Sequence, residues 1–205
     1  ALLGPNGAGK STAVEILEGL RDRHGGEVSV LGTDPARADH RWRARIGVVL
    51  QEARDFTMLR VGEAVRQFGA YYPAHRDPDE VLAAVGLTDQ ARTLTSRLSG
   101  GQRRRLDVSL GIVGDPELLF LDEPTTGFDP AARRQFWDLI RSLRGAGTTV
   151  LLTTHYLEEA EALADRVGVL AAGRLVEVAA PERLGGRDRA GAGGGWDGGG
   201  ERCEE

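Results

Sequence analysis

The chain has 205 residues and 40% hydrophobic content, enough to bury one good core. No apolar run in it approaches the roughly 20 residues that a membrane-spanning helix requires. The formal net charge of -5 gives no reason to expect nucleic acid as a partner. Cys203 is the lone cysteine, so there is no disulfide framework and a reducing cytoplasm is the default, and no signal peptide is visible.

In chain order, Leu2 and Leu3 read as the end of a buried strand that runs into Gly4-Pro-Asn-Gly-Ala-Gly-Lys-Ser-Thr12. That stretch matches G-x-x-x-x-G-K-[ST], the phosphate-cradling Walker A loop. Val14, Ile16, Leu17 and Leu20 follow with helical spacing, giving the strand–loop–helix context the motif needs. Its glycines let N–H groups turn inward around phosphate oxygens, and the helix N-terminus adds a favourable partial charge. Lys10 is the only lysine in a chain otherwise basic through arginine. A compact ammonium fits between terminal phosphates where a planar guanidinium would not.

Glu27–Leu31 and Ile46–Leu50 are predicted strands, and Val61–Tyr72, Asp79–Val85 and Gln102–Val113 predicted helices. The stretch from about Val61 to Gly114 carries no strand signal and reads as an inserted helical subdomain, placed at about 52–115. Glu117–Asp122, bounded by Pro116 and Pro124, is a short buried strand. Ala131–Arg144 is an amphipathic helix with Phe136, Leu139, Ile140 and Leu143 inward. Thr148–Thr153 is a further buried strand, Tyr156–Ala164 a helix with acids early, and Val167–Ala171 with Leu175–Val178 a hairpin about Gly173. This alternation predicts an α/β fold of the P-loop NTPase type, a mostly parallel sheet flanked by helices, spanning about 1–184. The glycine-rich 185–205 has almost nothing to bury and is expected to be disordered, either as a natural flexible tail or as an artefact of sequencing or reading frame.

Two further motifs bear on chemistry. In Leu98-Ser-Gly-Gly-Gln102, Ser99 can cap the helix that follows, while Gly100 and Gly101 leave N–H groups bare at its positive end, ahead of Arg103, Arg104 and Arg105. This is either a second anion site or simply a turn and cap. Leu118-Leu-Phe-Leu-Asp-Glu123 looks like a Walker B strand, whose terminal carboxylate can hold magnesium beside the phosphate loop.

With these three motifs in order, the chain resembles the ATP-binding-cassette (ABC) ATPase family over residues 1 to about 181. The resemblance implies that Gln51 is the Q-loop glutamine, Thr126-Gly-Phe-Asp129 the D-loop, and His155 the switch histidine. It implies ATP and Mg²⁺ as ligands, with Gly4, Pro5, Asn6, Gly7, Ala8, Gly9, Lys10, Ser11 and Thr12 around the phosphates. Ser99, Gly100, Gly101, Gln102 and Asp129 would contact nucleotide across a head-to-tail dimer of cassettes. Ser11, Asp122 and Gln51 would serve the metal; Glu123 would act as general base with His155 and Gln51. Wording such as Glu123-Pro-Thr-Thr-Gly-Phe-Asp-Pro130 is similar to cassettes of the daunorubicin-resistance type, which energise export of drugs or lipids through a separate membrane permease. An importer cassette and a truncated cassette that binds nucleotide weakly remain alternatives. No upstream strand supplies the aromatic residue expected to stack on adenine, so the chain reads as lacking the N-terminal strands of the family. A peripheral position on the cytoplasmic face of the membrane follows from the same likeness. The permease contact is expected near Gln51 and the loop Glu52–Arg60, with Phe56, Met58 and Leu59 either exposed to it or packed inward.

Overall fold

The computed structural model describes residues 1–50 and 58–186. Its centre is a six-stranded sheet of β1 (Leu2–Leu3), β2 (Ile46–Val49), β3 (Leu118–Asp122), β4 (Thr149–Thr154), β5 (Val167–Ala171) and β6 (Arg174–Ala179), in the order β2-β3-β4-β1-β5-β6. All neighbours are parallel except the β5–β6 hairpin. Leu119, Phe120 and Leu121 of β3 are completely buried, as a parallel strand covered on both faces requires. β1 lies between β4 and β5, with Leu2 opposite both Thr153 and Gly168. The chain leaves β1 for the β2 edge and later returns on the other side with β5. The loop after β1 therefore opens into the crevice at the carboxyl ends of the strands, where the strand order reverses.

Helix α1 (Lys10–Leu17) starts directly from that loop, and the short α2 (His40–Arg43) precedes β2. Helices α3 (Val61–Gly69), α4 (Pro78–Ala84) and α5 (Gly100–Ile112) fill the stretch between β2 and β3. Helix α6 (Pro130–Gly145) buries Phe136, Leu139, Ile140 and Leu143, the stripe its periodicity predicts, and α7 (Leu157–Leu163) follows β4. One hydrophobic cluster joins Val61, Val65, Leu82 and Ile112 of α3–α5 to Leu119, Leu121, Phe136 and Ile140. A second gathers Val14, Val30, Trp42, Ile46 and Phe120 on the opposite face of the sheet. Helix α5 approaches β2 so closely that a Cβ on Gly47 would stand 2.1 Å from the carbonyl oxygen of Gly111.

The structure departs from the sequence expectations in one strand. Glu27–Leu31 forms no strand, only an isolated Val30–Thr33 bridge. Leu31 at φ 50° and Gly32 at φ 78° turn the chain back at that point, so a ladder cannot propagate. Val30 instead packs into the Trp42 cluster and its carbonyl accepts the Trp42 Nε1–H at 2.8 Å. The predicted strand at 46–50 and helix at 61–72 form but stop at Val49 and Gly69. Of the stretch 185–205 expected to be disordered, Gly185 and Gly186 end a short helical segment over Pro181–Gly186, and 187–205 lie outside the described residues, as do Gln51, Glu52 and Phe56. Met58 is 87% exposed, whereas Leu59 packs against the main core and is not available to a partner in the way Met58 is.

Candidate functional site

The loop after β1 is shaped by its backbone. Gly7 and Gly9 sit at φ 79° and 97°, conformations that carry no steric cost only for glycine. Gly4 donates its N–H to Thr154 O, and a Cβ there would meet the Leu170 carbonyl oxygen at 2.4 Å. Pro5 O accepts from the Ala8 N–H, closing the turn, and the buried Ala8 returns its own carbonyl to Gly173 N–H of the β5–β6 hairpin. Among the described residues no backbone carbonyl accepts from the N–H groups of Asn6, Gly7 or Gly9. A set of inward donors at the start of a helix suits a phosphate. Asn6, Gly7, Gly9, Lys10, Ser11, Thr12 and Glu123 line a cavity of about 330 Å³ there.

Lys10 is buried at 4% exposure. Its ammonium donates to Gly4 O at 2.8 Å and Pro5 O at 3.2 Å and stands 3.1 Å from Glu123 Oε1. Ser11 Oγ lies 3.4 Å from Asp122 Oδ1, a contact that spans 111 positions of sequence. The end of β3 thus comes to the start of α1, as the parallel pairing of β3 with β4 and of β4 with β1 dictates.

Glu123 is a non-glycine residue at φ 42°. Its N–H donates to Thr153 Oγ1 at 3.0 Å, and that hydroxyl donates in turn to Asp122 Oδ1 at 2.5 Å. Glu123 Oε2 accepts from Thr126 Oγ1 at 3.3 Å and faces His155 Nδ1 at 3.1 Å. Burial pushes the Glu123 carboxyl up, but the hydrogen bond and charge of Lys10, with His155 and Thr126, more than offset it and leave it below the ordinary range. The acid is therefore ionised at neutral pH and can act as a proton acceptor.

Ser99 through Gln102 and Asp129 do not line the phosphate-loop cavity. They line a larger cleft of about 990 Å³ between α5 and the segment 123–129. Glu123 belongs to both cavities. Ser99 caps α5: its Oγ accepts from Gln102 N–H at 3.3 Å and Gln102 Oε1 accepts from Ser99 N–H at 3.0 Å, a capping box. Asp129 caps α6 by accepting from the N–H groups of Ala131 and Ala132. The three arginines after Gln102 line the same cleft, and each also bonds protein groups: Arg103 donates to Thr95 O, Arg105 to Val85 O and Gln135 Oε1, and the buried Arg104 to backbone carbonyls.

The sequence expectation passed over Thr153, which orients both Asp122 and Glu123. It also passed over Glu159 on α7, 1% exposed, whose Oε1 accepts from Thr125 Oγ1 at 2.8 Å and Trp137 Nε1 at 3.2 Å. Among the described residues no cluster of three or more His, Cys, Asp or Glu could hold a metal by itself. One hydroxyl and one carboxylate beside a phosphate cavity is instead the donor set of a magnesium ion that keeps its waters and binds phosphate oxygens. Ser11 and Asp122 fit that description.

A glycine loop leaving the central strand of a parallel sheet, with a lysine and an acid pair over its mouth, defines a protein of the P-loop NTPase fold. The ABC transporter family model matches residues 1–126, and the chain belongs to that family. It is 44% identical over 188 residues to the daunorubicin resistance ATP-binding protein DrrA3 of Streptomyces coeruleorubidus, covering 89% of this chain and 60% of that protein. It is 43% identical over 184 residues to a fluoroquinolones export ATP-binding protein of Mycobacterium tuberculosis, covering 89% of this chain and 61% of the relative. The chain thus spans about three-fifths of the length of these curated relatives. A solved dimeric ATP-binding cassette in a post-hydrolysis state, bound to ADP and Pi, superposes with a TM-score of 0.77 at 25% identity, over 88% of this chain and 84% of that one.

Proposed function

We propose that this chain is the ATP-binding and hydrolysing subunit of an ABC transporter that powers export of a drug-like or lipid-like compound through a separate membrane permease. The observation that carries the reading is that Lys10, Ser11 and Glu123 line one cavity with Asn6, Gly7 and Gly9, while Asp122 stands behind it against Ser11 Oγ and His155 against Glu123 Oε2. Phosphoryl transfer asks mainly for positioning and charge stabilisation, and these residues supply both. The N–H groups of the loop and the Lys10 ammonium hold the terminal phosphates. Ser11 and Asp122 would hold magnesium, which when bound would supply charge neutralisation at the phosphate oxygens; Gln51 belongs to the same proposed set and lies outside the described residues. Glu123, ionised and held between Thr126 and His155, accepts the proton of the attacking water. His155 fixes the rotamer of that carboxylate and reaches the terminal phosphate.

Two points support a head-to-tail pair of cassettes. Ser99–Gln102 and Asp129 line a cleft separate from their own phosphate loop, as residues meant for a partner's nucleotide would, and the solved cassette cited above is dimeric. The likeness to a fluoroquinolones export ATP-binding protein favours export over import. No helix among the described residues is long and apolar enough to cross a membrane, in keeping with a permease on another chain and a position on the inner face of the membrane.

The test is ATP turnover by Glu123→Gln in the full-length protein. Turnover is expected to fall about a hundredfold or more, the scale of losing a general base, with nucleotide binding retained. Unchanged turnover refutes the role given to Glu123.

A further inference from the structure

We propose that Arg104, on the helix that begins with Ser99-Gly-Gly-Gln102, is a positioning residue that holds the Glu123 turn in its reactive conformation. The inference rests on the role proposed for Glu123 above and names the group that keeps that carboxylate where it must be.

Arg104 stands on the inward face of α5, four and eight positions before the completely buried Val108 and the nearly buried Ile112, and is itself only 7% exposed. Its guanidinium does not serve an anion. Nε donates to Pro124 O at 3.0 Å, Nη2 to Asp122 O at 3.0 Å and Nη1 to Leu50 O at 2.5 Å. The nearest carboxylate, Asp107 on the next turn of the same helix, is 3.9 Å from Nη1. Three carbonyls on two strand ends and one turn are thus gripped by one planar fork, a task its fixed donor geometry suits and an ammonium's does not.

Two of those carbonyls flank Glu123. A side chain at φ 42° adopts the left-handed region at a steric cost and stays there only if its surroundings over-determine it. The peptide before Glu123 is fixed through Asp122 O and the Thr153 hydroxyl, and the peptide after it is fixed by a proline whose carbonyl Arg104 also holds. Without the guanidinium the carbonyls on either side of Glu123 lose their shared donor, and the turn is left to the Thr153 hydroxyl, the Thr126 N–H on Glu123 O and the side-chain contacts of Lys10, Thr126 and His155, so the carboxylate is less firmly held in the cavity. The third carbonyl, Leu50 O, belongs to the residue just after β2, so the same side chain keeps α5, the β2 end and the acid turn in register. A movement of α5 would be felt at Glu123 through this one group.

The experiment compares Arg104→Lys and Arg104→Met in the full-length protein. Lysine keeps the charge without the fork, and methionine keeps much of the stem without donors. Steady-state ATP turnover, affinity for a non-hydrolysable ATP analogue with Mg²⁺, and melting temperature are measured for both, alone and combined with Glu123→Gln. The expected result is a loss of kcat of about tenfold or more in each variant, with analogue affinity within about twofold of the parent. In the Glu123→Gln background neither substitution should lower kcat further, because the group being positioned is already gone. If the methionine variant does not fold, the lysine variant carries the test alone. A kcat equal to that of the parent, a parallel fall in kcat and analogue affinity, or an equal loss in the Glu123→Gln background overturns the inference. Should Glu123→Gln alone leave turnover unchanged, the role of Glu123 falls and this inference falls with it; a large loss there beside normal Arg104 variants overturns this inference only.

Discussion

Replacing Lys10 with alanine tests the phosphate loop at its only ammonium. The side chain is 4% exposed and touches two loop carbonyls and Glu123 Oε1, so Glu123 serves as its counter-ion. Binding of a triphosphate exchanges that carboxylate contact for phosphate oxygens. A charge-assisted hydrogen bond contributes roughly 1.5–3 kcal/mol, so Lys10→Ala should weaken a Mg²⁺-bound, non-hydrolysable ATP analogue about 10- to 150-fold. Part of the gain on binding is offset in the parent by breaking the Glu123 contact. The loss should therefore be larger when the alanine is introduced into Glu123→Gln, where no carboxylate competes for the ammonium. Calorimetric titration reads both numbers without turnover intervening, and AMP, which lacks the terminal phosphates, is the control whose affinity should not change. Analogue affinity within twofold of the parent in Lys10→Ala, or a smaller loss in the Glu123→Gln background, would refute this reasoning.

Two stability predictions follow from buried groups outside the chemistry. Glu18, 3% exposed with Oε2 unpaired, has its carboxyl pushed up to about 7 by burial first and then by Asp122 and Glu15. Its folded value lies above the ordinary 4.5, so the stability it contributes is present below pH 4.5 and lost as pH rises through 7. At about 1.4 kcal/mol per pKa unit the rise corresponds to at most about 3.5 kcal/mol, reduced to about 2 by solvent screening. Glu18→Gln should accordingly raise the melting temperature by about 4–8 °C at pH 8 and by almost nothing at pH 4.5; equal shifts at both pH values would contradict it. Gly47→Ala drives a Cβ to 2.1 Å from Gly111 O and 2.9 Å from Leu119 Cδ1, both in the α5–β2–β3 contact. It should cost about 3 kcal/mol, read as a lower denaturation midpoint, and an unchanged midpoint would show that α5 can move freely off the sheet.

The parts most legible in the sequence are those where chemistry constrains residue type at a short spacing. A phosphate loop needs glycines at fixed offsets from a lysine, and Gly7, Gly9 and Lys10 sit in the geometry the motif predicts. The apolar run ending at Asp122 between two prolines is a strand because nothing in it favours solvent. Val28 and Val30 misled because β-branched residues suit any half-buried surface, and only the left-handed Leu31 and Gly32 reveal that the chain reverses there. Arg103 to Arg105 read as one basic run, yet successive helical residues point about 100° apart, and of the three only Arg104 is buried. Counting back in fours from Ile112 through Val108 would have put Arg104 inside. The roles of Thr153 and Glu159 depend on partners about thirty positions away, beyond any local pattern.

The most direct measurement is a crystal structure of full-length Glu123→Gln with a non-hydrolysable ATP analogue and Mg²⁺. It should show the terminal phosphates within hydrogen-bond reach of Lys10 Nζ and the metal held beside Ser11 Oγ and the Asp122 carboxylate. A nucleotide seated elsewhere, or phosphates that leave Lys10 unengaged while the metal is remote from both Ser11 and Asp122, would contradict the account.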